Sequence, residues 1–351
     1  MSMAMDLSTP NDVLLSNPTL VAEGLRFPEG PIAMPDGSVI FVEIARSQIS
    51  RVRPTENGWG SRSGLPVGSE PSGGTRSEAE MGPASSDWGP VEIVTSIPGG
   101  PNGIAIGPDG ALYVCNNGGC FTWIDHGGSL YPGPVPDTWT GGSIDRVDLA
   151  TGAVTTVVTE CDGHPLRAPN DIVFDAQGGM WFTDHGVRMT RASDRTGIYY
   201  ANIDGSIAKE VVFPVDGPNG IGLSPSGDRV YWAETHTGRV FYRTIVAPGE
   251  VGPVGADRGV LAGLPGLQLL DSLAVDGDGN VCVATLVRGG ITVISPTGDA
   301  HHVALPEPFA DPMTTNICFG GPDLRTAFIT LSGSGKLVSV PWPTAGLKLS
   351  F

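Results

Sequence analysis

Six segments of this chain fall into one register. They read PEGPIAMPDGSVIFVE from Pro28, PNGIAIGPDGALYVCN from Pro101, PNDIVFDAQGGMWFTD from Pro169, PNGIGLSPSGDRVYWAE from Pro218, LDSLAVDGDGNVCVAT from Leu270 and TNICFGGPDLRTAFIT from Thr315. Each starts on a polar residue, runs on as an alternating apolar strand, turns, and returns as a second apolar strand. In the first five a glycine follows the polar residue at a fixed distance: Gly37, Gly110, Gly178, Gly227 and Gly279. Glycine suits a turn that needs positive φ. The sixth segment keeps Pro322-Asp323 but has Leu324 in the glycine's place.

A further β pair follows most of these segments, as in GSIDRVDLATGAVTTVV and GGITVISPTGDAHHV. Six units of about four strands, at roughly 45–50 residues each, predict a β-propeller. The expected fold is all-β: a six-bladed β-propeller with four-stranded antiparallel blades around a central channel, one domain over residues 1–351. The polar positions are spaced by 73, 68, 49, 52 and 45 residues. The excess in the first two intervals marks inserted loops at 56–90, rich in Gly, Ser and Pro, and at 121–142, rich in aromatics and Pro. The first reads as a loop, the second as a lid or pocket wall. Residues 1–20 read as an N-terminal extension.

Composition agrees with a folded, turn-rich chain: 51 Gly and 31 Pro accompany 40% hydrophobic residues and seven Trp. A net charge of −17 argues against nucleic acid or an anionic membrane surface as partner. No apolar run is long enough to span a bilayer. The first residues, MSMAMDLSTPNDV, show no basic n-region or apolar h-region. The cysteines (115, 120, 161, 282 and 318) are odd in number and lack metal spacing. Both features lead to the expectation of a cytoplasmic protein with reduced thiols, a local Cys115–Cys120 bridge being the alternative.

In a propeller the first strand of each blade lines the channel, so residues at one phase of the repeat converge on the axis. Here they are Glu29, Asn102, Asn170, Asn219, Asp271 and Asn316. All carry a side-chain oxygen, and none is His or Cys. Any one of them taken alone is explained by an Asx turn before a strand. Six at one phase, two of them carboxylates, suit a hard divalent cation: Ca²⁺ first, with Zn²⁺, Mn²⁺ and Fe²⁺ as alternatives. Three or four of the side chains, with waters, would complete a shell.

From about Leu25 to Pro343 the chain resembles the senescence marker protein/gluconolactonase family of regucalcin-like lactonases. The motifs that carry the resemblance are the Glu of FPEGP, the Asn-Asp of PNDIVFD, the Asn of PNGIGLSPSGDRVYW and the Asp-Ser of LLDSLAVDGDGN. The resemblance implies that Glu29, Asn219 and Asp271 hold one divalent metal at the channel mouth, and that Asn170 touches metal or substrate. It implies a metal-dependent hydrolase that opens a lactone ring, water attacking a carbonyl polarised by the ion. Asp271 is the candidate catalytic base. One departure stands out. Sugar-lactone members often carry Arg two residues before the Asn-Asp pair; here Ala168 occupies that place and Arg167 is one step away. Strand alternation would point those two side chains oppositely. A less polar lactone is then expected, with Trp123, Tyr131 and Trp139 as walls.

Asn102, His185 and His236 complete the candidate substrate contacts, the histidines because each follows a second strand. His301-His302 reads as a solvated strand edge. DGDGN at Asp276–Asn280 lacks later EF-hand ligands and reads as a hairpin turn. SGSGK at Ser332–Lys336 lacks the rest of a phosphate loop. Two same-fold alternatives are a strictosidine-synthase-like condensing enzyme and an arylesterase or organophosphate hydrolase. A non-catalytic metal-binding propeller is the alternative of another class. The two axial carboxylates speak against a pure scaffold, where unpaired charge would be costly.

Overall fold

The computed structural model describes residues 13–55 and 87–351. Most of the first predicted insert, residues 56–86, lies outside the described residues, as do residues 1–12.

Six antiparallel sheets form the six blades of a β-propeller. Their first strands are Pro28–Ala33, Pro101–Ile106, Pro169–Phe174, Pro218–Leu223, Leu269–Val275 and Thr314–Gly320. Each packs on the next, and the sixth returns to the first, so the channel is ringed by these strands alone. The second strands are apolar without alternation. Val39–Glu43, Leu112–Asn116, Met180–Asp184 and Val281–Leu286 are buried at every residue, because neighbouring blades cover both faces. Trp181, Trp232, Tyr113 and Phe41 fill the spaces between blades. Outer strands such as Val154–Val158 turn exposed side chains to solvent.

The chain closes on itself at its N-terminal side. Thr19–Ala22 pairs antiparallel with Lys336–Pro341 and supplies the fourth strand of blade 6. Val13–Leu14 pairs in parallel with the outer strand of blade 5. The segment that the sequence presents as an extension thus holds two blades together. At the other end, residues 343–351 cross the channel opposite the polar ring. Gly346 N donates to the Leu324 carbonyl at 2.8 Å and Leu347 N to that of Val275 at 3.1 Å. The Phe351 ring meets Phe174 edge-on at 6.3 Å.

The insert at 121–142 contains a hairpin, Trp123–His126 paired with Ser129–Pro132. It leaves blade 2 and lies over blade 1. Leu130 is buried among Phe27, Ile44 and Ile49, and its N–H donates to Gly333 of blade 6 at 2.8 Å. All five cysteines are free thiols. No helix among the described residues is long and apolar enough to cross a membrane.

Candidate functional site

Each ring residue arrives at an irregularity of its ladder. In blade 3, Pro169 pairs with Asp184 and Ile172 with Phe182, so Asn170 and Asp171 together face Thr183. The same break falls between Pro101 and Ile104, Pro218 and Ile221, and Leu270 and Leu273; in blade 1 it follows Glu29, which pairs with Val42, and in blade 6 it takes in Thr315 alone, with Asn316 paired to Thr330. A bulge re-aims side chains and sharpens the local twist. In blades 2 to 5 it leaves the ring residue and the one after it out of the ladder together.

In blades 1 to 3 the backbone that leads into the bulge is pinned by a polar residue at the end of the second strand. Glu43 Oε2 accepts from Arg26 N at 2.8 Å. Asn116 Oδ1 accepts from Gly100 N at 2.9 Å. The Asp184 carboxylate accepts from Arg167 N and Ala168 N at 2.6 and 2.7 Å. These bonds fix where Glu29, Asn102 and Asn170 begin.

Glu29 is 2% exposed, and its Oε2 accepts from Gly30 N and from Asn316 Nδ2, both at 2.7 Å. Asn316 Oδ1 is taken by Ile317 N at 2.7 Å, so this sixth ring member holds Glu29 in place. Asn219 Nδ2 donates to Thr235 Oγ1 at 3.1 Å, which leaves its Oδ1 facing Ser272 Oγ at 3.5 Å. Asn170 Oδ1 is buried with no hydrogen-bond partner among the described residues. A buried amide oxygen without a donor is uncommon in a folded protein.

Asp171, which the repeat pattern did not single out, is the third carboxylate of the site. Its Oδ1 accepts from Ile172 N at 2.9 Å and its Oδ2 from Ile221 N at 3.4 Å. The signal was present in the sequence: where two other copies read Asn-Gly, this one reads Asn-Asp. Ser272 is the matching position in blade 5, also buried.

Burial pushes the Asp171 carboxyl up to about 7, against the Ile172 N–H and with the charge of Glu29. Burial and then Glu29 raise Asp271 well above the carboxylate range, although the Asn219 amide opposes this. Burial also raises Glu29, against its bonds to Asn316, Thr315 and Gly30. Desolvation together with mutual repulsion drives such shifts. The ion pairs among the described residues lie elsewhere and give these three groups no counter-charge.

Three acidic groups without a cation, beside an unpartnered amide oxygen, form a donor set that fits a hard divalent ion. Among the described residues no three His, Cys, Asp or Glu side chains are placed to hold a metal by themselves. A shell for such an ion would have to draw on the Asn oxygens as well.

His185 and His236 lie on the same mouth, at the border of blades 3 and 4. Their rings meet edge-on at 5.5 Å, beside Gly217. Burial lowers both, His236 to about 4, so both imidazoles are neutral at physiological pH. Trp123 stands in another sector, over blade 1, with its ring 5.0 Å from that of Phe27. The structure thus brings the carboxylates and amides together and sets the histidines and Trp123 on separate parts of the rim. Arg167 stacks over Trp139 at 4.5 Å and pairs with Asp194 at 2.9 Å; its side chain braces the 121–142 insert. Trp139 Nε1 in turn donates to the Asn117 carbonyl at 2.9 Å. The expectation of a solvated His301-His302 edge is corrected at one residue. His302 is buried, its Nε2 2.7 Å from the Gly289 carbonyl and its Nδ1 3.1 Å from Thr292 Oγ1. Alternation turns one of two adjacent strand residues inward.

Residues 27–333 match the model of the SMP-30/Gluconolactonase/LRE-like region. A gluconolactonase of Zymomonas mobilis is 25% identical over 362 residues, which cover 97% of this chain and 84% of that protein. Among solved structures, a putative gluconolactonase matches with a TM-score of 0.66 at 20% identity, covering 96% of both chains. The calcium-binding protein regucalcin of Agrobacterium tumefaciens matches with a TM-score of 0.66 at 17% identity, covering 95% of this chain and 97% of its own.

Proposed function

The chain belongs to the SMP-30/gluconolactonase/LRE-like family, and on that premise we propose that it is a cation-dependent lactonase whose ion is held by Glu29, Asn170, Asn219 and Asp271. The observation that carries this reading is the convergence of Glu29, Asp171 and Asp271 at one end of the channel without a basic partner among the described residues, next to the orphaned Oδ1 of Asn170. A gluconolactonase as relative supports the reaction class, and a calcium-binding neighbour of the same fold supports Ca²⁺ as the ion.

When bound, the cation supplies positive charge against the oxygen that becomes anionic as the ester carbonyl is attacked. The chain's own groups do the rest. Asp271 is the least buried of the three carboxylates and therefore the one best placed to meet water. It takes the proton of the attacking water at its carboxylate oxygen. Glu29, held by Asn316 and Gly30, fixes one side of the ion site. Asp171 ties blade 3 to blade 4 through Ile221 N and adds negative charge behind the ring. Asn102 and the neutral imidazoles of His185 and His236 contact the substrate, and the 121–142 hairpin with Trp123 limits its access to water. The substrate is a small uncharged ester in ring form; the acidic balance of the chain favours neither nucleic acid nor an anionic membrane.

The test is a panel of five- and six-membered lactones assayed with Ca²⁺ and with chelator, on wild type, Glu29→Gln and Asp271→Asn. The expected result is hydrolysis that chelator removes, lowered at least a hundredfold in both variants. Cation binding without hydrolysis of any lactone would replace the reading by a non-catalytic cation-binding propeller.

A further inference from the structure

Beside the ring, on the same mouth, a cleft of about 180 Å³ opens between blades 1 and 2. Its floor is Gly99-Gly100, just before Pro101-Asn102. No side chain fits at either glycine. A Cβ at Gly99 would stand 2.5 Å from Asn116 Oδ1, and one at Gly100 would run into the Asn117 amide. Its wall is Phe121 and Trp123, whose rings lie 5.9 Å apart at 66°. Trp123 rests on Phe27, so the wall is anchored to the backbone that leads to Glu29.

Asn117 lines this cleft and is 1% exposed. Its Oδ1 accepts from Gly119 N at 2.9 Å and from Cys120 N at 3.3 Å, which sets the orientation of the amide. The Nδ2 that remains is buried and finds no acceptor among the described residues. Among the described residues no Lys, Arg, His, Asp or Glu lines the cleft. A buried N–H donor without an acceptor, just behind the lining of an uncharged cleft with an aromatic wall, would be satisfied by a neutral oxygen on an apolar arm pressed against it. A water's share of liquid volume is about 30 Å³, so there is room for an arm of several heavy atoms.

We propose that this cleft is a subsite for a substituent on the substrate ring: an apolar arm whose carbonyl oxygen accepts from Asn117 Nδ2 while its carbons pack on Phe121 and Trp123. The inference rests on the lactone reading above and narrows it to acyl-bearing lactones rather than polyhydroxylated ones. It agrees with one further feature: the Arg167 guanidinium is engaged by Trp139 and Asp194 and so is not free to meet a polyhydroxylated ring.

The experiment compares an unsubstituted five-membered lactone with the same ring carrying a butanoylamino arm. Asn117→Asp keeps an acceptor for Gly119 and Cys120 but removes the donor. It should lower the preference for the acyl-bearing ring, as a ratio of kcat/KM values, roughly five- to tenfold, the worth of one neutral hydrogen bond. Trp123→Ala should lower the same ratio. A ratio unchanged in both variants overturns the subsite. Should the wild type open neither ring, the lactone reading fails separately, and calorimetric binding of the butanoylamino lactam then decides. Tighter binding to wild type than to Asn117→Asp supports the cleft; equal binding, or none, overturns it.

Discussion

Asn316 Nδ2 donates to Glu29 Oε2 at 2.7 Å, a contact between residues 287 apart in sequence that joins the last blade to the first at the axis. Glu29 is the deepest of the ring carboxylates, and this bond sets which of its oxygens faces the channel. Asn316→Leu removes the donor and leaves Glu29 with the Gly30 N–H and the Thr315 hydroxyl. Calcium titration by calorimetry should show affinity reduced roughly ten- to a hundredfold, the usual effect of removing a group that orients a ligand. Affinity equal to wild type would show that Glu29 needs no such support.

The acidic cluster also gives the stability of the ion-free protein an unusual pH dependence. Asp171 titrates at about 7 in the fold against a usual 3.8, and Glu29 and Asp271 are shifted in the same direction. The folded state therefore binds more protons than the unfolded chain across that interval, and stability falls as pH rises through it. With chelator present, Tm should decline from about pH 4 to about pH 7, whereas most soluble proteins become more stable over that range. Added Ca²⁺ should raise Tm at pH 7 and have little effect near pH 4, where the carboxyls are protonated. A chelated Tm that climbs between these values would mean that the three groups are not buried together.

How much of this the sequence displays depends on whether a feature repeats. The fold and the ring are legible because six copies share one phase, and burial on the axis selects oxygen-bearing residues at that phase. The bulge is not legible, since alternation assigns only one residue per blade to the axis; Asp171 and Ser272 stand one place beyond it. Nor is the bond from Asn316 to Glu29, because a contact between the first and last blades leaves no local pattern. The cleft at Asn117 arises where the hairpin of blade 2 meets the turn of blade 1, and neither segment repeats. The strands at Val13–Leu14 and Thr19–Ala22 are short, and their partners lie at the far end of the chain.

Leu324 marks a place where the repeat and the residue disagree. Five blades put glycine at this turn with φ between 70° and 84°, and Leu324 takes φ 56° in the sixth. A side chain there carries a steric cost of about 1–2 kcal/mol that glycine avoids. Leu324→Gly should raise stability by about 1 kcal/mol in urea unfolding, the gain being reduced by glycine's greater unfolded-state freedom. The Leu324 carbonyl that receives Gly346 N is retained, so the tail should stay docked. A loss of stability would show that the Leu324 side chain packs usefully enough to outweigh the strain.

The glycine that follows the ring asparagine in PNGI has a different reason from the turn glycines. Gly103 has no positive φ, but a Cβ there would lie 2.5 Å from Asp171 Oδ1 and 2.6 Å from the Asn170 carbonyl. Gly30 faces the Asn102 carbonyl in the same way at 2.6 Å, and Gly220 faces the backbone of Ser272 and Leu273. At these three junctions, blades 1 to 2, 2 to 3 and 4 to 5, neighbouring bulges thus touch through bare Cα atoms, and this contact limits how closely the blades approach the axis. Gly103→Ala must push blade 3 outward, at about 1–3 kcal/mol for overpacking, and must move Asn170 and Asp171 with it. Calcium affinity and lactone hydrolysis should fall together, beyond what the loss of stability accounts for at a temperature where the variant remains folded. Gly263→Ala, whose Cβ would meet nothing closer than 3.8 Å, is the matched control and should leave both unchanged. If Gly103→Ala binds the ion as wild type does, the ring tolerates a wider spacing and the close approach serves packing alone.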